Sequence, residues 1–176
     1  MSFFRKLEEA IAQNNSLLVI GLDPNPEMMP KQKEKLEGEV LLNSLREWLE
    51  TVIKETSHLV CAYKPTLGFY QALGVGGSTL LEQILTVIPE HIPVILDAKH
   101  GDLNTSSRFA ATIFEEWGFD AITLNPYLGQ DQAASFLVYP DHGVFMLAHT
   151  SNPGAIALQE YPTSDNPFYL QVIREA

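Results

Sequence analysis

The densest group of charged residues that could do chemistry is the segment 97–102, which reads Asp-Ala-Lys-His-Gly-Asp. Because residues i and i+2 of a β-strand point to the same side, Asp97 and Lys99 are expected to share one face. Lys64 ends another apolar run and is expected beside them, and Asp102 follows at the next turn. A single Asp–Lys pair is more often a structural ion pair. Four charges in one pocket indicate function, since buried ion pairs are poor stabilisers.

Such a cluster can stabilise charge and transfer protons. A fixed ammonium group stabilises negative charge that develops beside it and can then donate its proton. The sequence has no cofactor fingerprint, so we expect no cofactor and a site that relies on electrostatics. We also expect no metal, because the histidines outside the segment lack metal-ligand spacing. These are His58, His91, His142 and His149.

Five short apolar runs are predicted to be the strands that carry these residues. They are nearly continuous rather than alternating, which is typical of strands covered on both faces. They cover residues 17–22, 59–64, 93–97, 121–124 and 144–148. Helical patterns lie between them, and their apolar stripes are expected to face the core. The clearest stripes are Leu41, Leu45, Trp48, Leu49, Val52 and Ile53, and then Phe109, Ala110, Ile113, Phe114 and Trp117.

The alternation of strands and helices favours a parallel α/β sheet, either doubly wound or closed into a barrel. The first strand ends in Gly21-Leu22-Asp23-Pro24, which is not a dinucleotide fingerprint. The glycine-rich run 74–77 is predicted to be a turn or loop, and Thr79 with Glu82 forms a capping-box pattern for the next helix.

Polar residues at the ends of successive strands decide between the two folds. They are Asp23, Lys64, Asp97, Lys99, Asn125 and residues 150–152. Polar groups at the carboxyl ends of strands are typical of a barrel active site, so the predicted fold is a (β/α)8 TIM barrel.

The length predicts only part of such a barrel. A complete barrel has about 250 residues, or roughly 31 for each βα unit. The 176 residues therefore correspond to about five units and a last helix near 166–174. We expect residues 1–176 to form a single barrel domain that is incomplete at its C-terminal end, as a fragment or segment of a longer protein.

Composition limits the partners. The net charge of −11 argues against nucleic acid, because phosphate contacts need clustered positive charge. An anionic small-molecule substrate would need a local basic site within this acidic field. No apolar run is long enough for a transmembrane helix and the N-terminus does not resemble a signal peptide, so the prediction is a cytoplasmic protein with no membrane partner. The single cysteine, Cys61, is predicted to be a buried structural thiol.

Five motifs, taken in order along the whole chain, resemble orotidine 5′-phosphate decarboxylase, in particular its longer type 2 branch. Each motif alone is modest, but their order is specific. They are Gly21-Leu22-Asp23-Pro24, Tyr63-Lys64-Pro65, Leu96-Asp97-Ala98-Lys99-His100-Gly101-Asp102, Thr123-Leu124-Asn125-Pro126-Tyr127-Leu128-Gly129 and Thr150-Ser151-Asn152-Pro153-Gly154. One departure is His100, where the branch often has Arg. The strand alternation points it away from the charged pair.

The resemblance implies decarboxylation of orotidine 5′-phosphate to UMP in pyrimidine biosynthesis, free of metal and cofactor. Lys99 matches the proton donor to C6 of the pyrimidine, and Asp97 matches the carboxylate that faces the carboxylate of the substrate. Lys64 matches the lysine that pairs with Asp97. Asp102 matches the acid that completes this network across a homodimer interface, so shared active sites are implied.

The resemblance also implies a set of substrate-binding residues. Asp23 matches a ribose ligand, and Ser106 stands where the family has a threonine from the neighbouring subunit. Ser151 and Asn152 match the segment that recognises the pyrimidine, while Asn125 matches a motif position without an assigned role. The family's phosphate-binding loops follow strands seven and eight. No residue here matches them, and fusion to orotate phosphoribosyltransferase is a further expectation.

Two alternatives remain open. One is an inactive fragment or remnant that keeps half of the site. The other is a Mg²⁺-dependent aldolase similar to hexulose-phosphate synthase, which shares the Asp-x-Lys-x-x-Asp pattern. That enzyme needs an acidic ligand at the end of strand two, where this chain has Lys64, and an ammonium group beside a dication is unfavourable.

Overall fold

The computed structural model describes residues 1–30, 36–163 and 165–175 of the chain. Within these ranges the chain alternates between strands and helices, as predicted. The strands are β1 Val19–Gly21, β2 Ala62–Lys64, β3 Ile95–His100, β4 Ala121–Leu124 and β5 Gly143–Met146. The helices are α1 Phe3–Asn14, α2 Gly38–Thr56, α3 Leu67–Ala72, α4 Val75–Val87, α5 Ser106–Ala111, α6 Gln130–Leu137, α7 Ala155–Gln159 and α8 Phe168–Glu175.

All five strands are parallel and lie side by side in sequence order. β1 pairs with β2, and β3, β4 and β5 form a second ladder. Bridges from Tyr63 to Val94 and from Thr66 to Asp97 join β2 to β3. A doubly wound sheet reverses its strand order at a switch point, whereas a barrel adds each strand beside the last. The unreversed order therefore favours the barrel arrangement.

Apolar side chains from the helices and strands form the main core. On α2 the predicted stripe faces inward, with Leu45, Leu49 and Ile53 fully buried. On α5 the second stripe continues into a π-helical turn at Thr112–Glu116, where Ile113 and Phe114 are buried. Both stripe predictions are confirmed, and the Cys61 thiol is free and buried as predicted. No helix in the described part of the chain is long and apolar enough to cross a membrane.

The prediction of a loop at the glycine-rich run was wrong, and so was the helix start at Thr79. Helix α4 begins at Val75, and Thr79 lies inside it. The glycines serve packing, because a Cβ at Gly77 would overlap the carbonyl oxygen of Tyr70 on α3. A residue without a side chain allows α3 and α4 to approach each other closely.

Candidate active site

Two lysines converge on one carboxylate where β2 and β3 lie side by side. Lys64 Nζ lies 2.7 Å from Asp97 Oδ2, and Lys99 Nζ lies 2.6 Å from Asp97 Oδ1. The Asp97 side chain is 11% exposed, while those of Lys64 and Lys99 are 33% and 50% exposed. Two ammonium groups and one carboxylate leave one formal positive charge at a site reached from solvent.

The surroundings of Asp97 hold its carboxylate in the ionised form. Burial by itself would raise the pKa of Asp97. Hydrogen bonds from Lys64, Lys99 and Thr123, together with the charge of Lys64, outweigh burial and lower the pKa to about 2. The carboxylate is therefore negative at every pH at which the protein is expected to work.

The Asp97–Lys99 contact does not arise from regular strand alternation. Lys99 has a φ of 46°, in the left-handed region that residues with a Cβ rarely adopt. The β3–β4 register runs from Leu96–Ile122 directly to His100–Leu124. Residues 97–99 of β3 therefore stand opposite the single residue 123 of β4. Such a bulge re-aims side chains, so the two charges meet as predicted but for a different reason.

Thr123 is a member of the site to which the sequence interpretation gave no role. Its hydroxyl donates to Asp97 Oδ1 at 2.9 Å and accepts from the Lys99 backbone N–H at 2.9 Å. A signal was present in the sequence, since Thr123 is the one hydroxyl residue in the apolar run 121–124.

Asp23 lies beside this cluster and supports the backbone after β2. Its Oδ1 accepts a hydrogen bond from the Thr66 backbone N–H at 2.9 Å, and Thr66 is bridged to Asp97. The buried Tyr70 hydroxyl donates to the Leu22 carbonyl at 2.7 Å. Burial, with a smaller effect of the Asp23 charge, raises the pKa of Tyr70, so this phenol stays neutral. Within the described part of the chain, Asp23 Oδ2 makes no hydrogen bond.

The four-charge network is only partly assembled within one chain. Asp102 makes no ion pair with either lysine among the described residues. Its Oδ2 instead accepts from the backbone N–H and hydroxyl of Thr105, at the corner that leads into α5. Hydrogen bonds, chiefly from the Thr105 side chain, lower the pKa of the half-buried Asp102, so its carboxylate is ionised.

Ser106, which stands where the family has a threonine from the neighbouring subunit, lies inside its own chain. It is fully buried, its hydroxyl bonds to the Asp102 carbonyl, and it lies 2.9 Å from His100 Nε2. The His100 ring packs against Phe109 and Phe136, away from the charged pair as predicted. Burial lowers the pKa of His100. Ser106 therefore supports the Asp102 corner within its own chain.

The predicted pyrimidine-recognising segment is an exposed loop after β5. Ser151 and Asn152 are both exposed, and Asn152 Oδ1 accepts from the Thr150 hydroxyl at 2.7 Å. Gln159 of α7 stabilises the loop, since its Oε1 accepts a hydrogen bond from the Thr150 backbone N–H at 2.7 Å. At the end of β4, Asn125 caps a short turn by accepting from the Tyr127 backbone N–H at 3.1 Å. This hydrogen bond stabilises the turn.

Comparison with protein families places nearly the whole chain in one of them. Residues 16–174 match the profile described as "Orotidine 5'-phosphate decarboxylase / HUMPS family". A Nostoc protein named "Bifunctional enzyme PyrF/PyrE" is 60% identical over the whole chain, which spans 36% of that relative. A Thermomicrobium roseum protein named "Orotidine 5'-phosphate decarboxylase" is 47% identical over the whole chain, which spans 62% of it. The chain thus spans less than two thirds of these relatives.

Solved structures show the same fold. A Toxoplasma gondii structure described as a putative orotidine-monophosphate-decarboxylase matches 98% of the chain with a TM-score of 0.88 and 34% identity, and the match covers 58% of that protein. Leishmania donovani UMP synthase matches 98% of the chain with a TM-score of 0.84 and 35% identity, covering 35% of that protein. The predicted fold class, a TIM barrel of which part is present, is confirmed.

Proposed function

This chain belongs to the orotidine 5′-phosphate decarboxylase / HUMPS family, and on that premise we propose that it carries the chemical half of a site that converts orotidine 5′-phosphate to UMP. The observation that carries the proposal is the convergence of Lys64 and Lys99 on the ionised Asp97. The curated relatives at 60% and 47% identity, one named for this activity, support it.

The proposed reaction needs no metal and no cofactor. The bond between C6 of the pyrimidine and its carboxylate breaks, CO₂ leaves, and the electron pair stays on C6. The Lys99 ammonium stabilises that pair and then transfers its proton to C6, which leaves a neutral amine and UMP. Asp97 faces the substrate carboxylate and disfavours the ground state, while Lys64 fixes the Asp97 carboxylate from its other side.

Substrate binding is proposed to use the neighbouring groups. Asp23 Oδ2 accepts from a ribose hydroxyl, and Ser151 and Asn152 on their exposed loop contact the pyrimidine. Asp102 is proposed to enter the site of a partner subunit in a homodimer, since it is ionised, is only half-buried and makes no ion pair with Lys64 or Lys99 among the described residues. Ser106 then positions Asp102 through the Asp102 carbonyl. The phosphate is proposed to bind on the part of the barrel that this chain does not include.

A fusion partner and a cellular location complete the proposal. One relative is named a bifunctional enzyme and one solved neighbour is a UMP synthase, which supports fusion to orotate phosphoribosyltransferase. Pyrimidine biosynthesis from small soluble metabolites fits a cytoplasmic protein.

The aldolase alternative is weakened by Lys64. The family description covers both enzyme types, so membership alone does not separate them. The position at the end of β2 that would hold an acidic Mg²⁺ ligand is occupied by an ammonium group 2.7 Å from Asp97. A dication there would be repelled by the charge of Lys64, and Asp97 Oδ2, which already bonds to Lys64, would not be free to bind it.

The test is turnover of orotidine 5′-phosphate with and without EDTA. Two proteins are compared: the 176-residue chain, and a joined protein in which the chain is fused to the portion of the Thermomicrobium roseum relative that it does not match. Loss of the orotate absorbance and formation of UMP by chromatography are followed. We expect EDTA-insensitive turnover by the joined protein and little by the chain alone. Turnover lost in EDTA would refute the metal-free reaction, and no turnover in either protein would favour a non-catalytic remnant.

A further inference from the structure

The hydroxyl of Thr123 bonds to both members of the Asp97–Lys99 pair. It accepts from the Lys99 backbone N–H and donates to Asp97 Oδ1, each at 2.9 Å. A backbone N–H can only donate and an ionised carboxylate can only accept. The orientation of the Thr123 hydroxyl is therefore fixed by its two partners, with its proton on the Asp97 side and a lone pair on the Lys99 side.

These two bonds lie where the β-ladder is interrupted. Three residues of β3 stand opposite Thr123 alone, so the Lys99 N–H falls outside the regular ladder. The Thr123 hydroxyl supplies the missing acceptor. Lys99 also keeps a positive φ of 46°, which a residue with a Cβ adopts only where its surroundings hold it. The Thr123 side chain is the polar group that contacts the backbone at this point.

We propose that Thr123 is a positioning residue for the proposed decarboxylation, holding the β3 bulge so that the Lys99 ammonium and the Asp97 carboxylate face the same pocket. The inference rests on the proposed function for its catalytic consequence and on the hydrogen bonds alone for its structural one. Without the hydroxyl, the Lys99 N–H loses its acceptor and Asp97 loses one of the three donors that keep it oriented.

Substitutions at Thr123 separate the hydroxyl from its packing. Thr123→Val keeps the shape and removes the hydroxyl. Thr123→Ser and Thr123→Ala both remove the methyl group and differ only in the hydroxyl. Comparing these two variants therefore also isolates the effect of the hydroxyl if the valine variant does not fold. Correct folding of each variant is checked by circular dichroism and thermal unfolding before any other measurement.

Two readouts follow. In the joined protein we expect Thr123→Val and Thr123→Ala to lower kcat for orotidine 5′-phosphate by about tenfold or more with KM nearly unchanged, because ground-state contacts remain. Thr123→Ser is expected to stay near the wild-type kcat. In the 176-residue chain, a ¹³C-carboxyl NMR titration is expected to show a higher pKa for Asp97 in the valine and alanine variants, because a hydrogen bond to the carboxylate is lost.

The outcomes distinguish this proposal from the proposed function. If the serine and alanine variants have the same kcat and the same Asp97 pKa, the hydroxyl does not position the pair and the proposal is overturned. If the wild-type joined protein does not turn over orotidine 5′-phosphate, the proposed function fails. The NMR comparison then still decides whether the hydroxyl holds the Asp97–Lys99 pair.

Discussion

Replacing Asp97 with Asn should make the protein less sensitive to acid. The ordinary pKa of 3.8 falls to about 2 in the folded protein, so the ionised carboxylate contributes about 2.4 kcal/mol of stability. Because the folded-state pKa is the lower one, that contribution is complete above about pH 5 and is lost as the pH falls through 3.8 towards 2. By pH 3 the loss amounts to about 1.1 kcal/mol.

The assay is urea unfolding followed by circular dichroism at pH 6 and pH 3. Groups other than Asp97 titrate in both proteins, so the difference between their losses isolates Asp97. Wild type is expected to lose about 1 kcal/mol more than Asp97→Asn over this interval. Glu47→Gln, which alters an exposed carboxylate on α2, should follow wild type. Equal losses for wild type and Asp97→Asn would refute the claim that two lysines hold Asp97 ionised.

Two further predictions concern packing and pH. Gly77→Ala should destabilise the protein by about 2 kcal/mol or more, because the new Cβ overlaps the Tyr70 carbonyl. The control Gly118→Ala should cost about 1 kcal/mol, because Gly118 has a φ of 73° and no atom near the new Cβ. Urea unfolding measures both costs, and equal values would contradict the close contact at Gly77. Because burial lowers the folded-state pKa of His100, this residue favours the folded state above its ordinary pKa of 6.5 and loses that contribution as the pH falls. His100→Gln should therefore flatten the unfolding profile between pH 7 and pH 5, and an unchanged slope would contradict the burial of a neutral ring.

The sequence predicted the strands and the charged pair because both depend on local patterns. Apolar runs between polar ends located all five strands, although the bounds differ for four of them: β1, β2 and β5 are shorter than their runs, and β3 begins and ends later than its run. The first run extends from 17 to 22, but β1 covers only Val19–Gly21. Leu17 and Leu18 lie outside the ladder and are exposed. Apolar composition marks where a strand can form, and hydrogen bonding decides where it ends.

What the sequence could not predict depends on contacts between distant segments. The positive φ of Lys99 follows from a bulge against β4. Strand alternation therefore predicted the Asp97–Lys99 contact correctly, although the bulge is what produces it. The start of α4 at Val75 follows from the close approach of Gly77 to α3, which local turn propensity does not describe. The placement of Ser106 follows from His100, whose ring fills a space lined by aromatic residues from two helices.

The most direct measurement compares two ion-paired lysines in the joined protein. Lys6 bonds both oxygens of Asp120 at 2.9 Å, beyond the amino ends of the strands and away from the proposed site. Lys6→Ala should lose about 2 kcal/mol of stability, yet turn over orotidine 5′-phosphate at the wild-type rate per folded molecule. Lys99→Ala should stay folded and lose turnover by about a hundredfold or more, as expected for removal of a proton donor. Normal turnover by Lys99→Ala would contradict the central claim that this ammonium protonates C6.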